Sequence, residues 1–195
     1  MDTLQSIYDT HKRAPNYGDK GTVHTYIQEY ELLFKPFRNG CTLLEIGVYQ
    51  GGSILMWDDY FTDSHIIGVD INDPEFEIAD CKNKVTLIKA NATQPVLLDH
   101  LGDVKLDIVI DDGSHNLNDM IASFELLKDR MNKGGIYIIE DVQQFDVQGD
   151  VLATLHPSFQ FIDNRSLQGR YDDVLAIYTF WWLAARWSLT VALNT

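Results

Sequence analysis

Five short apolar runs separated by helix-compatible segments constrain the fold of this chain more than any other feature. They are CTLLEIG (41–47), HIIGVDI (65–71), VTLIKAN (85–91), LDIVIDD (106–112) and GGIYIIED (134–141). Each is rich in Val, Ile and Leu and lacks polar alternation, which is typical of parallel strands buried on both faces. Their alternation with helices predicts an α/β fold with a doubly wound, mostly parallel sheet and helices on both faces.

Four of the intervening segments are predicted to be helices, at 51–61, 74–81, 95–102 and 117–131. The last has the clearest apolar stripe, and Asn116 is a suitable cap for its first turn. The segment TVHTYIQEYELLFKPF, ahead of the first strand, is also predicted to be helical.

The C-terminal part contains two more predicted strands, SFQFID and VLAIYTF. The connection NRSLQGRYDD is too short for a comfortable crossover helix, so the two strands are expected to be antiparallel. The apolar stretch 174–193 approaches the length of a membrane span, but its start alternates like a strand and the rest is too short to cross a bilayer. We therefore expect one domain over 1–180 and an apolar tail over 181–195 that packs on the body or on a partner, with a membrane span as the less favoured alternative.

Charge and cysteine content narrow the class of function. A formal net charge of −14 disfavours nonspecific binding to nucleic acid and docking on anionic lipid. The two cysteines, Cys41 and Cys81, have no metal-finger spacing and are expected to be free thiols in a reducing cytosol. The N-terminus lacks the apolar core of a signal peptide, so a cytoplasmic location is expected.

The first predicted strand runs into LEIGVYQGGS, which partly matches the dinucleotide fingerprint G-x-G-x-x-G. Gly47 and Gly52 fit, but Tyr49 replaces the middle glycine that admits a pyrophosphate, which favours a nucleoside cofactor without one. Asp70, at the end of the second strand, is placed to accept hydrogen bonds from ribose hydroxyls. Glu45 is an unusual acidic residue inside an apolar strand. Together these features favour an adenosyl cofactor, although the glycine loop alone is equally compatible with a tight turn.

Two further strands end in paired carboxylates, Asp111-Asp112 and Glu140-Asp141. Neighbouring strands lie about 4.8 Å apart, so about three of the four carboxylates should converge. The pleat should turn Asp111 away from the other three. Oxygen ligands at this density suit Mg²⁺, and a solvated acidic rim is the alternative. His115 follows at the mouth of the same site, where it is a candidate general base or, alternatively, a turn or helix-cap histidine.

The stretches YGDKGTVHTYIQEYELLF, LLEIGVYQGGSILMW, IIGVDI, IDDGSH and GGIYIIED carry a resemblance that spans residues 17–141. The chain resembles class I S-adenosylmethionine-dependent methyltransferases, and within them the metal-dependent sugar O-methyltransferases of macrolide tailoring. The resemblance implies a seven-stranded Rossmann-like methyltransferase sheet, Asp112, Glu140 and Asp141 as Mg²⁺ ligands, and His115 as the catalytic base. It also implies residues in or near the cofactor pocket: Lys20, His24, Tyr26, Glu45, Gly47, Ser53 and Asp70. Asn91, in the acidic slot after the third strand, and Asp111 are assigned to the same pocket.

The predicted function is transfer of a methyl group from S-adenosylmethionine to a hydroxyl of a sugar or glycosylated small molecule, with Mg²⁺ binding two adjacent acceptor oxygens. A nicotinamide-dependent oxidoreductase on a similar sheet and a noncatalytic partner-binding domain are the alternatives. A homo-oligomer is compatible with the apolar tail.

Overall fold

The predicted sheet is present in the computed structural model, which describes residues 2–11, 18–73 and 76–180. Seven strands lie in the order β3-β2-β1-β4-β5-β7-β6. Their bounds are β1 Thr42–Ile46, β2 His65–Asp70, β3 Lys84–Lys89, β4 Leu106–Asp111, β5 Met131–Ile139, β6 Phe159–Asp163 and β7 Val174–Thr179. The first five strands pair in parallel, and β7 is antiparallel to both β5 and β6. The predictions of a mostly parallel seven-stranded sheet and of an antiparallel C-terminal pair are confirmed.

Helices cover both faces of this sheet. Their bounds are α1 Leu4–His11, α2 Ile27–Phe34, α3 Gly52–Tyr60, α4 Val96–Leu101, α5 Leu117–Leu127, α6 Phe145–Leu155 and α7 Arg165–Gln168, with 3₁₀ turns at Lys35–Phe37 and Lys128–Arg130. One face packs against α1, α2 and α3, and the other against α4, α5 and α6. Side chains of β4 alternate between these two cores from Ile108 to Ile110, with Ile108 and Ile110 in the first and Val109 in the second. The register shift between Leu106 and Ile108 places Leu106 in the second core as well.

Most predicted helices are confirmed, but not the one over 74–81, because residues 76–81 are irregular. The contacts of Asp58, a residue of α3, explain why residues 76–81 are not helical. Its buried carboxylate accepts hydrogen bonds from the backbone N–H groups of Lys82 and Asn83 and from the Asn83 side chain. These bonds hold the chain between residue 81 and the start of β3 against α3. The sequence also did not predict α1, α6 or the short helix α7.

Among the described residues, no helix is long and apolar enough to cross a membrane. Cys41 is buried and Cys81 half-buried, and both are free thiols, as predicted. The tail over 181–195 lies outside the described residues, but the strand predicted ahead of it is confirmed as β7.

Candidate cofactor and metal site

A cavity of about 840 Å³ opens at the carboxyl edge of the parallel strands, where ligands bind in open α/β sheets. Loops after β1, β2, β3 and β4 line it, together with Asp141 after β5 and with Gly18, Asp19, Lys20 and Thr22 of the N-terminal segment. Nine predicted site residues form part of its wall: Lys20, Gly47, Ser53, Asp70, Asn91, Asp111, Asp112, His115 and Asp141. Four others, His24, Tyr26, Glu45 and Glu140, are buried and absent from that wall.

The loop after β1 depends on a glycine at its first position. Gly47 has a φ of +88°, and a Cβ atom there would lie 2.0 Å from the backbone oxygen of Asp112. Tyr49 also has a positive φ, of 46°, and its side chain is 80% exposed at the cavity rim. The close approach of the β1 and β4 loops therefore brings the predicted cofactor turn directly against the acidic residues.

Asp70 holds this loop from the neighbouring strand. Its Oδ2 accepts the backbone N–H groups of Val48 at 2.9 Å and Tyr49 at 3.1 Å, and its Oδ1 accepts that of Asn72 at 2.8 Å. The predicted contact with ribose hydroxyls stays a prediction, but the carboxylate is in the cavity wall and fixed in orientation. At the next loop, the Asn91 side chain accepts hydrogen bonds from the backbone and hydroxyl of Thr93.

Glu45 lies below the cavity floor and is fully buried. Its Oε2 accepts a hydrogen bond from the Trp57 indole at 2.9 Å, whereas Oε1 has no hydrogen-bond partner and lies 3.5 Å from Lys20 Nζ. Burial raises the pKa of the Glu45 carboxyl, and the positive charge of Lys20 partly opposes that shift.

Lys20 is the cation at the centre of the acidic cluster. Its Nζ donates to Asp112 Oδ2 at 2.6 Å and to Glu140 Oε1 at 2.7 Å. Burial alone would lower the pKa of Lys20, but the charges of Asp112, Glu140 and Glu45 outweigh burial and hold it well above its ordinary value. The ammonium group therefore stays charged and compensates carboxylates that burial would otherwise drive to protonate.

Glu140 and Asp141 have different surroundings although they are adjacent. Glu140 is 2% exposed, and burial followed by the charge of Asp112 raises the pKa of its carboxyl well above the usual range. Asp141 reaches the cavity, has a φ of +53°, and burial raises the pKa of its carboxyl as well. Its Oδ1 accepts the hydroxyl of Tyr26 at 2.7 Å.

Asp111 points to the opposite face of the sheet, as the pleat predicts. Its Oδ2 accepts hydrogen bonds from the hydroxyl groups of Ser123, on α5, and Tyr137, on β5. Burial raises the pKa of this carboxyl to about 6, against the effect of the two hydroxyl donors. Asp111 and Ser123 both line the cavity, so this pair forms part of its floor on the side away from Lys20.

His115 occupies the turn between β4 and α5 with a φ of +53°. Its Nε2 lies 3.9 Å from Asp112 Oδ1, and its side chain is 28% exposed toward the cavity. The helix cap is the next residue, Asn116, whose side chain accepts the backbone N–H of Asn118. His115 is therefore not the cap of α5, and its imidazole is accessible to a bound molecule.

The acidic residues fit a divalent cation. In the described part of the chain, potential ligand atoms of Asp112, His115 and Asp141 lie within 4.8 Å of one another, as do those of Glu45, Asp112 and Glu140. With the carboxylates of Glu45, Asp112, Glu140 and Asp141 ionised and the Lys20 ammonium charged, the cluster would have a formal charge of −3. A divalent ion would reduce that charge to −1. The Oε1 of buried Glu45 accepts no hydrogen bond and has only a 3.5 Å ion-pair contact with Lys20, and a set rich in carboxylate oxygens suits Mg²⁺.

Sequence reasoning missed three residues of this site: Tyr30, Ser123 and Tyr137. Tyr30 follows Tyr26 by one helical turn and its hydroxyl donates to Glu140. That spacing was a usable signal, since side chains four residues apart lie on the same face of a helix. Ser123 and Tyr137 carry no comparable signal, because a hydroxyl within an apolar stripe is compatible with many structures.

A doubly wound sheet with a glycine turn after β1, an acidic residue after β2 and carboxylates after β4 and β5 defines a class I methyltransferase fold. Residues 44–142, about half of the chain, match the family described as "Methyltransferase domain". The chain belongs to this family of methyltransferase domains.

Two named relatives and one solved structure show which methyltransferases this chain is similar to. The chain is 37% identical, over 80% of its length, to the 8-demethyl-8-alpha-L-rhamnosyl tetracenomycin-C 2'-O-methyltransferase of Streptomyces olivaceus, and 34% identical, over 63%, to the demethylmacrocin O-methyltransferase of Streptomyces fradiae. It spans only 38% and 33% of these relatives. Among solved structures, it is similar to the MycE methyltransferase of the mycinamycin biosynthetic pathway in complex with Mg and SAH. The TM-score is 0.65, with 26% identity over 91% of this chain and 55% of that one.

Proposed function

We propose that this chain is the catalytic domain of a Mg²⁺-dependent O-methyltransferase that methylates a hydroxyl of a sugar or glycosylated small molecule. The observation that carries the proposal is the position of Asp112, Asp141 and His115 together at one end of the cavity, against the glycine turn. The names of the relatives support a glycosylated acceptor, and the Mg and SAH in the MycE complex support the cofactor and the ion.

The cavity residues divide between cofactor and acceptor in this proposal. Gly47 gives the loop its close approach, Asp70 offers carboxylate oxygens to a ribose, and Ser53, Asn91 and Asp111 line the remaining wall. The acidic character of the wall favours a cofactor that carries a sulfonium cation. Glu45 contributes negative charge from below the floor.

Asp112, Glu140 and Asp141 are the proposed metal ligands. A bound Mg²⁺ would supply a Lewis acid that acidifies and orients an acceptor hydroxyl. His115 would accept the hydroxyl proton while the acceptor oxygen forms a bond to the methyl carbon. S-adenosylmethionine, when bound, would supply the methyl group and leave as S-adenosylhomocysteine, with the electron pair of the broken carbon–sulfur bond kept by sulfur. The His115 side chain is 28% exposed, so a proton can pass from it to solvent after the step.

Calorimetry with S-adenosylhomocysteine, with and without Mg²⁺, tests the cofactor and the ion together. We expect binding to the protein and a separate Mg²⁺ heat that EDTA abolishes. Binding of NADH instead would favour the oxidoreductase, and binding of neither would favour a noncatalytic partner-binding domain.

Methyl transfer to a panel of glycosylated acceptors tests the chemistry. His115→Ala and Asp112→Asn should each lower the rate about 100-fold or more, in line with the loss of a general base or a metal ligand. His100→Ala, at an exposed position on α4, is the matched control and should retain the wild-type rate. Retention of activity by both site variants, with no effect of EDTA, would refute the metal and base mechanism.

The proposal places the domain in the cytoplasm, which supplies S-adenosylmethionine and would keep Cys41 and Cys81 reduced. The boundary at residue 180 and any homo-oligomer formed through the tail stay predictions. Sizing of the full chain against a chain ending at residue 180 checks them.

A further inference from the structure

One segment of the chain, Lys20–Tyr30, supplies hydrogen-bond donors to all three proposed metal ligands. Lys20 donates to one oxygen of Asp112 and one oxygen of Glu140, and Tyr30 donates its hydroxyl to the same oxygen of Glu140. Lys20 and Tyr30 are almost fully buried. These two donors therefore fix the orientation of both carboxylates, Lys20 from the cavity wall and Tyr30 from the buried interior.

Asp141 is held in the same manner by Tyr26. The Tyr26 hydroxyl donates to Asp141 Oδ1 at 2.7 Å, and Tyr26 is fully buried. His24 stacks on the Tyr26 ring with centroids 5.0 Å apart. The Nδ1 of His24 lies 3.2 Å from Asp141 Oδ1 but lacks hydrogen-bond geometry, so Tyr26 is the donor that sets the position of this carboxylate.

The donors from this segment use one oxygen of each carboxylate and leave the other. They engage Asp112 Oδ2, Glu140 Oε1 and Asp141 Oδ1. When one oxygen of a carboxylate accepts a hydrogen bond, the second oxygen points in a fixed direction. Residues that do not touch a metal ion commonly orient its ligands in this way.

We propose that Tyr26 and Tyr30 are positioning residues of the metal site, and that with Lys20 they preset the ligand geometry before an ion arrives. This inference rests on the proposed metal-dependent function. It assigns to Tyr26 a role through Asp141 and not the direct cofactor contact expected from the sequence.

The two tyrosines allow a test that leaves the charge of the site unchanged. A phenol is neutral near pH 7, so both hydroxyls act as neutral donors. Replacement by phenylalanine removes a donor without removing a charge or a ring. A change in metal affinity would then report the orientation of the ligands, and not a change in attraction for the cation.

Mn²⁺ and Mg²⁺ titrations by calorimetry, with saturating S-adenosylhomocysteine, provide the measurement. Tyr26→Phe and Tyr30→Phe should each weaken metal binding about 10- to 100-fold. The matched control is Tyr60→Phe, because this buried phenol also donates to a carboxylate, that of Glu31, which lies outside the cavity wall and is not a proposed ligand. The control should bind the ion within about twofold of wild type.

A double-variant cycle separates positioning from general damage. Tyr26→Phe should have no further effect on metal affinity once Asp141→Asn is in place, since its effect passes through that carboxylate. Equal affinity in wild type and both phenylalanine variants would overturn the inference, as would an equal loss in Tyr60→Phe. Absence of metal binding by the wild-type protein would instead overturn the proposed function. Tyr26→Phe alone carries the test if Tyr30→Phe fails to fold.

Discussion

Replacing Lys20 by methionine should lower the free energy of unfolding by about 3–5 kcal/mol in the presence of EDTA. Lys20 is 2% exposed and has three carboxylates within 3.5 Å, two of which are themselves at most 2% exposed. Removal of one partner from a buried ion network costs this much because the remaining charges lose their compensation while they stay desolvated. The loss would be a large fraction of the roughly 5–15 kcal/mol that stabilises a typical domain.

Urea unfolding followed by far-ultraviolet circular dichroism measures this difference. Lys82→Met is the matched control, since Lys82 pairs with Asp59 but its side chain is 69% exposed. An exposed pair contributes at most about 1 kcal/mol, so this variant should unfold close to wild type.

The deficit of Lys20→Met should also depend on pH. Burial and the charge of Asp112 raise the pKa of the Glu140 carboxyl, and Lys20 opposes that shift. Without Lys20 the folded-state pKa rises further above the unfolded value, so the folded protein is stabilised at low pH and loses that stability as the pH rises through the folded pKa. The deficit should therefore be larger at pH 8 than at pH 5. A deficit below 1 kcal/mol, or one independent of pH, would refute the assignment of Lys20 as the internal counter-ion.

Three further results are expected. Asp70→Ala should weaken binding of S-adenosylhomocysteine about 10- to 100-fold by calorimetry, because the carboxylate also fixes the glycine loop. Replacement of the exposed Asp73 by alanine should leave the affinity unchanged, and equal affinities of the two variants would contradict this role of Asp70. Gly47→Ala should destabilise the fold by about 2–6 kcal/mol in urea, since its Cβ would overlap a backbone oxygen at positive φ, and a loss below 1 kcal/mol would disprove the close approach. Burial raises the pKa of Cys41 to about 11 and also raises that of Cys81. A disulfide reagent at pH 8 should therefore label half-buried Cys81 slowly and Cys41 only on unfolding. Rapid labelling of both thiols would be inconsistent with the fold.

Strand positions were predictable here because each parallel strand is an apolar run with no competing pattern. Segments whose structure depends on distant contacts were not. The region 76–81 contains helix-compatible residues, yet the carboxylate of Asp58 fixes the chain beyond it in an irregular path. Helix α6 was missed because its buried residues are few, Gly149 and Leu152, and define no clear stripe.

In the candidate site, too, local sequence patterns predicted some features and distant contacts determined the others. Asp112, Glu140 and Asp141 were identifiable because they follow predicted strands, whose carboxyl ends meet at one edge. The helical spacing of Tyr26 and Tyr30 indicates a shared face, but it does not show that the Tyr30 hydroxyl meets Glu140. The interaction of Lys20 with the same carboxylate joins residues 120 positions apart, which only the folded structure defines.

The contacts between Lys20–Tyr30 and the acidic residues also determine when the site can form during synthesis. Lys20 is separated from Glu140 by 120 residues, and Thr25 from its hydrogen-bond partner Asp173 by 148. A ribosome makes the N-terminal segment first, yet its partners emerge only after most of the sheet has been translated. Until then Tyr26 and Tyr30 lack the carboxylates of Asp141 and Glu140, and Lys20 lacks that of Glu140. Closure of the site is therefore a late event in folding, and a nascent chain cannot assemble its metal ligands before the sheet is nearly complete.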